Sequence, residues 1–307
     1  MKKLLKAARD LDPGLLLPFE WLAARIRKNQ VASDAPMLVL LATPRSGSTF
    51  CYQVLCHSLE ADYFSNLLYM GYRYPFLTKM LGSIVAKKYV SNFKSDHGFV
   101  EGFSGVAEAN DIWKKWFDQH LCEKPPQPLA DNLARATSFF DWNYSRSKKP
   151  FITGWVGHIM YAEQMARIFP NAIFINLKRD AQDVAVSLLR ARQKVNSSSA
   201  LWFSARPVEC EDVSGLTPHQ QVIKQTLALQ KRAAVFAERN AARVFSIEYS
   251  ELCENPGMVI LRLQKYCADR QMILSLRNQS SPIPNLNKAP VRDDDYNLIA
   301  QELQHAN

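Results

Sequence analysis

A chain of 307 residues is long enough to bury a sizeable core and to form a single α/β domain with insertions. An ordinary apolar fraction (47%) with plentiful charge (22%) excludes the disordered, collagenous and multispan classes, and the chain reads as soluble and globular. The net charge of +9 suits an acidic ligand, a nucleic acid or an anionic membrane surface, but Lys and Arg are scattered without a run of five, which argues against a nucleic-acid arm.

Cysteines at 51, 56, 122, 210, 253 and 267 form no C-x-x-C pair and no Cys/His group with metal-ligand spacing. They read as reduced thiols of a cytoplasmic chain, and no metal is expected. Met1 to Asp10 is basic, but Lys6 and Arg9 break its apolar stretch, so it reads as neither a cleavable signal nor a membrane span. Residues 1–36 read as a helical lead-in and 37–307 as one domain. In the lead-in, Lys2, Lys3, Lys6 and Arg9 lie beside Leu4, Leu5 and Leu15 to Leu17, so peripheral membrane contact stands beside the plainer reading of an amphipathic lead-in helix.

In chain order, Met37 to Ala42 (MLVLLA) predicts a buried strand and Gly47 to Leu59 a helix. Residues 61–105 are rich in aromatics and hold a helix at Leu77 to Lys88. Helices follow at Ala107 to Leu121, closed by Pro125, Pro126 and Pro128, and at Leu129 to Ser147. Phe151 to Thr153 starts a strand, Met160 to Ile168 is helical, and Ala172 to Leu177 (AIFINL) is a second firm strand. Ala181 to Arg192 is helical, Lys194 to Gly215 a surface loop or lid, and Pro218 to Asn240 a long helix. A strand at Arg243 to Ile247 and a helix at Pro256 to Ala268 complete the pattern. Such alternation predicts an α/β fold, a parallel sheet flanked by helices, with ligands at the carboxyl ends of its strands.

The first such end carries Thr43-Pro44-Arg45-Ser46-Gly47-Ser48-Thr49-Phe50. Small residues between strand and helix aim backbone N–H groups at an anion, and the hydroxyls of Ser46, Ser48 and Thr49 add donors. The layout is P-loop-like, but Ala42 stands where a Walker A loop starts with Gly, and Ser48 replaces its Lys. A triphosphatase would thereby lose its β/γ-phosphate lysine, which weakens the alternative of a P-loop kinase. At the second end, Arg179 leads into a helix that carries Ser187, and the two can converge on one phosphate. Asp180 caps that helix.

The string P-R-S-G-S-T resembles the 5′-phosphosulfate loop of sulfotransferases that use PAPS (3′-phosphoadenosine 5′-phosphosulfate). Arg179 with Ser187 is similar to the family's 3′-phosphate pair, and Glu248-Tyr249-Ser250-Glu251-Leu252 to a segment whose Tyr lies near the adenine. The resemblance spans residues 37–270. It implies the sulfotransferase fold and a transferase that moves a sulfuryl group from PAPS to a hydroxyl or amine of a carbohydrate, glycolipid or other small-molecule acceptor, releasing PAP. It further implies that Arg45 meets the 5′-phosphate and bridging oxygen, that Ser46, Gly47, Ser48, Thr49 and Phe50 cradle the phosphate, that Arg179 and Ser187 bind the 3′-phosphate, and that Tyr249 flanks the base, a core tyrosine being the other reading. The family closes over its cofactor with a basic C-terminal loop, where Lys288 or Arg292 would serve.

Sulfuryl transfer also needs a proton acceptor. The candidates are His97, Glu101, Glu108, Asp111 and His158, with Glu108 and His158 in front; helix-start acid is the competing reading of Glu108. Many relatives carry K-x-P-x-H where this chain reads Gly154 to His158, so the lysine is absent. A noncatalytic nucleotide-binding protein on the same fold therefore stays open. Trp113, Trp116 and the aromatics at 63–76 read either as core or as contacts to an aromatic or sugar acceptor.

Overall fold

The structure is a computed structural model that describes residues 20, 32–85, 89–96, 98–196, 198–278, 282–286 and 291–306. The apolar runs become neighbouring parallel strands. These are β1 (Met37–Ala42), β2 (Asp62–Tyr63), β3 (Phe151–Thr153), β4 (Ala172–Lys178) and β5 (Val244–Glu248), in spatial order β2-β3-β1-β4-β5. β1 is the middle strand: Met37 pairs with Phe151 on one side and Ala172 on the other. All six of its residues are buried, as a parallel strand covered on both faces requires.

Helices cover both faces. On one, α1 (Ser48–Ser58) packs Cys51, Val54 and Leu55 against Leu38, Leu40 and Ile175. The other face carries Val39 and Phe174, covered by aromatics from α4 (Asn110–Phe117) and α5 (Ala130–Ser147) and by Leu229 and Phe236 of α8 (Pro218–Arg239). Between these fall α2 (Asn66–Met70), α3 (Pro75–Val85), α6 (Ala162–Ile168) and α7 (Ala181–Asn196). The last three helices are α9 (Tyr249–Glu254), α10 (Pro256–Ala268) and α11 (Asp294–Ala306). α7 packs with α8 and α11. Thus α1 and α7 leave adjacent strands β1 and β4 toward opposite faces. That divergence opens a crevice at the carboxyl ends of these strands.

The strand expectations hold to within a residue, and the helices differ in informative ways. The helix expected over Ala107 to Leu121 is only α4, because Ala109 (φ 57°) and Asp118 (φ 53°) turn left-handed at its two ends. The helix expected from Met160 is a 3-10 turn (Val156–Met160) followed by α6. α7 runs on to Asn196, so the expected lid starts later and is tied down: Gln225 donates to the carbonyls of Phe203 and Ala205, and Trp202 meets the guanidinium groups of Arg192 and Arg206. β2, α2, α9 and α11 have no counterpart in the sequence reading.

From the N-terminal lead-in, buried Glu20 accepts hydrogen bonds from the amides of Phe76 and Leu77 and pairs with Arg135, capping α3 from outside. Lys2, Lys3, Lys6 and Arg9, the residues of the membrane reading, lie outside the described residues, as do His97 and Lys288. Among the described residues, no helix is long and apolar enough to cross a membrane.

Candidate functional site

β1 ends at Ala42 and the chain turns at once. The Ser46 amide and hydroxyl both donate to the Thr43 carbonyl, at 3.2 and 2.7 Å. Ser46 is fully buried and serves the turn, so the donors that face outward come from its neighbours. Arg45 (φ 68°) and Gly47 (φ 96°) are both left-handed, which bends the loop round the start of α1. The first helical bond runs from Cys51 N to Gly47 O, so the amides of Ser48, Thr49 and Phe50 precede the ladder and are available to an anion. The Phe50 ring turns into the core against Phe93, leaving only its backbone for the loop.

The residues expected to bind one nucleotide do meet. Arg45 Nε lies 3.3 Å from Ser187 Oγ, and Arg179 Nη1 donates to the Arg45 carbonyl at 3.2 Å. Burial and then the neighbouring charge of Arg179 lower the Arg45 pKa from its usual value. Two guanidinium groups held this close repel each other unless an anion joins them; the described counter-charge is Asp183, 3.8 Å from Arg179. Arg179 Nε is buried without a hydrogen-bond partner. The Arg179 backbone is fixed by Gln230 from α8, which donates to its carbonyl at 2.8 Å. Asp180 caps α7 as expected, accepting from Asp183 N at 3.0 Å.

Tyr249, at the start of α9, joins the same cluster. The Arg179 guanidinium carbon lies 4.5 Å from its ring centroid, and the ring edge takes the space a Cβ on Gly47 would need. Burial, and next the Cys253 thiol, push its hydroxyl up to about 12, so it stays protonated. The ring thus buttresses Arg179 and the loop, a contact no sequence signal announced. Gln230 and Thr43 were likewise not singled out.

The five base candidates part company. The Glu108 carboxyl and the Thr49 hydroxyl both reach Gly98: a Cβ there would stand 3.3 Å from Glu108 Oε1 and 3.8 Å from Thr49 Oγ1. Glu108 therefore sits beside the loop at 43–50. Left-handed Ala109 follows it, and Trp113 Nε1 holds its carbonyl at 3.0 Å. Burial raises its carboxyl to about 7. Asp111 instead accepts from the Tyr69 hydroxyl, and Glu101 is exposed.

His158 lies one layer deeper. It is fully buried, edge-on to Trp113 at 4.4 Å and to Trp155 at 5.5 Å, and its Nε2 meets Thr153 Oγ1 at 3.0 Å. Burial drives its pKa down to about 3, so the ring is neutral, and its Nδ1 has no partner. These contacts bind it to the core rather than to Arg45 or Thr49. Trp113 and Trp116 are fully buried as well, which favours the core over the acceptor of the two readings. Gly154 is a packing glycine: a Cβ would fall 2.7 Å from Tyr52 Cγ, so no lysine fits there without moving the tyrosine. Arg292 is exposed just ahead of α11.

Comparison with known proteins identifies the family. The sequence profile of the sulfotransferase family matches residues 36–268. No curated protein sequence matches the chain. Among solved structures, the sulfotransferase domain from the curacin biosynthetic pathway aligns at 14% identity over 89% of this chain and 99% of its own, TM-score 0.41. The sulfotransferase STF1 from Mycobacterium tuberculosis H37Rv aligns at 10% identity over 97% of this chain and 75% of its own, TM-score 0.45. STF9 from Mycobacterium avium aligns at 15% identity over 98% and 81%, TM-score 0.45. With a family match over most of its length and a parallel five-stranded sheet flanked by helices, the chain belongs to the sulfotransferase family.

Proposed function

We propose that the protein transfers a sulfuryl group from PAPS to a hydroxyl or amine of a carbohydrate, glycolipid or other small-molecule acceptor. The observation that carries this is the meeting of Arg45, Arg179 and Ser187 beside the free amides of α1, with Ser48 where a triphosphatase needs lysine. The close approach of Arg45 and Arg179, which an anion would relieve, suits a phosphate-bearing ligand, and Ser48 at the lysine position weighs against a polyphosphate tail. The buried Arg179 Nε without a partner fits the same ligand.

In this reading Arg179 and Ser187 take the 3′-phosphate. The amides of Ser48, Thr49 and Phe50 take the 5′-phosphate, with the Ser48 and Thr49 hydroxyls beside them. Arg45 offsets the charge that grows on the bridging oxygen as its bond to sulfur breaks. The acceptor oxygen or nitrogen forms the new bond to sulfur and gives its proton to Glu108. A carboxyl with a pKa of about 7 is half ionised near neutrality and is basic enough to accept that proton. Tyr249 holds Arg179 in place. The six free cysteines, five of them buried, fit work in a reducing cytoplasm.

A second reading, a noncatalytic PAP-binding protein, draws on Gly154, whose packing against Tyr52 leaves no space for the lysine many relatives use. Incubation with PAPS and panels of sugars, glycolipids, phenols and amines, with PAP release as the readout, separates the two. Acceptor-dependent release supports the transferase. Tight PAP binding without release for any acceptor favours the binding protein.

A further inference from the structure

A cavity of about 730 Å³ opens along the free edge of β2, walled by α3 and α5. None of its lining residues belongs to the loop at 43–50, and Glu108, Arg179, Ser187 and Tyr249 are not among them. Glu60 and Lys149 in its wall precede β2 and β3, while Ser65, Leu67 and Leu68 follow β2, so it runs along the outer edge of the sheet, whereas the loop at 43–50 follows the central strand β1. It is thus separate from the nucleotide site proposed above.

Its charges are uneven. Asp62 is engaged by Lys79 at 2.6 Å and by the Asn143 amide at 2.9 Å. Glu60 bonds Lys149, and Arg277 Nε stands 3.9 Å from it. Four cations (Lys79, Arg146, Lys149, Arg277) thus face two carboxylates that already have partners. Arg146 lies exposed, 5.4 Å from the Trp142 ring centroid, with its charge directed to no acid among the described ion pairs. The wall also carries an apolar and aromatic section, with Leu67, Leu68, Met80 and the Tyr63 and Tyr89 rings, 5.5 Å apart, beside the hydroxyls of Ser65, Thr78, Ser104 and Ser147. A volume of this size is typical of small-molecule sites.

We propose that this cavity is a second binding site, for an organic anion with an apolar or aromatic body. The body packs between Met80, Leu67 and the tyrosine pair, and the anionic group meets Arg146 at the rim. A small inorganic anion would leave the apolar wall unfilled, and a cation would meet the surplus positive charge.

The test uses the full-length protein saturated with PAP, so that the nucleotide loop is filled. The probe is the aryl sulfonate 8-anilinonaphthalene-1-sulfonate, followed by fluorescence titration beside its uncharged relative N-phenyl-1-naphthylamine. Arg146→Glu should weaken the sulfonate about tenfold while changing the uncharged dye less than about twofold, since like charge at a partly desolvated contact is strongly unfavourable. Met80→Glu, on the exposed side of α3, should weaken both dyes. Release of the sulfonate by PAP, equal loss of both dyes in Arg146→Glu, or unchanged sulfonate binding in both variants would overturn the proposal. Should PAP itself fail to bind, the nucleotide reading falls while the dye titrations still judge the cavity.

Discussion

The Tyr249 ring occupies the place a side chain on Gly47 would need: a Cβ there would lie 2.2 Å from Tyr249 Cε2. Since the same ring supports Arg179, one glycine keeps the loop at 43–50 and Arg179 in register.

Gly47→Ala meets two obstacles, a left-handed backbone at φ 96° and the Tyr249 ring. A strained non-glycine residue costs about 1–3 kcal/mol, so urea unfolding should show a loss of that size. PAP affinity should fall with it. Adding Tyr249→Ala removes the clash but not the backbone strain, so the double variant should lose less stability than the two single losses added together. Strict additivity would mean that the ring does not bear on the loop.

Glu108→Gln keeps size and removes basicity. Turnover should fall about 100-fold or more with PAP affinity nearly intact. In the parent, activity should climb with pH and level off above about 7, where the carboxyl is ionised. Stability should move the opposite way. The folded state holds the proton up to about 7 while the unfolded chain releases it near 4.5, so the group's contribution is full below 4.5 and lost as pH rises through 7. Urea midpoints for parent and Glu108→Gln should therefore diverge in favour of Gln between pH 5 and pH 8. A flat pH profile with full activity in Glu108→Gln would remove it as the base.

His158→Phe tests the other base candidate. The ring touches Trp113, Trp155 and Thr153 and is neutral, so its loss should cost about 1–3 kcal/mol of stability through the orphaned Thr153 hydroxyl and altered packing. The pH dependence of turnover should keep its shape. Because the folded pKa is pushed down to about 3, the parent loses stability as pH falls from 6.5 toward 3, when the unfolded chain takes up a proton the folded one refuses. The variant should lack that acid-side loss. Abolished turnover with unchanged stability would return the base role to His158.

The sheet and the two strand ends proposed to bind anions were legible because Met37 to Ala42 and Ala172 to Leu177 are continuous apolar runs that stop at small or charged residues. Arg45, Arg179 and Ser187 stood out from their places after those strands together with the resemblance to sulfotransferases. β2, two residues long, has no period to read, and it forms because the Asp62 amide finds the Pro150 carbonyl. α4 could not be bounded from its apolar spacing, since Ala109 gives no local sign of a left-handed turn. The depth of His158 was not legible, because a solitary histidine carries no label for burial and the aromatics that enclose it come from α4 and from the segment after β3. Tyr249 against Gly47, and Glu108 beside Thr49 at Gly98, join parts of the chain far apart in sequence, so only the folded packing reveals them.

The most direct measurement of the central claim is calorimetric binding of PAP and of AMP, which lacks the 3′-phosphate, to the parent and to Arg179→Ala. If Arg179 and Ser187 grip that phosphate, the parent should prefer PAP, and Arg179→Ala should cost PAP roughly 2–4 kcal/mol, about 30- to 1000-fold in affinity, while AMP hardly changes. Equal losses for the two ligands, or a parent that binds AMP as well as PAP, would contradict the account.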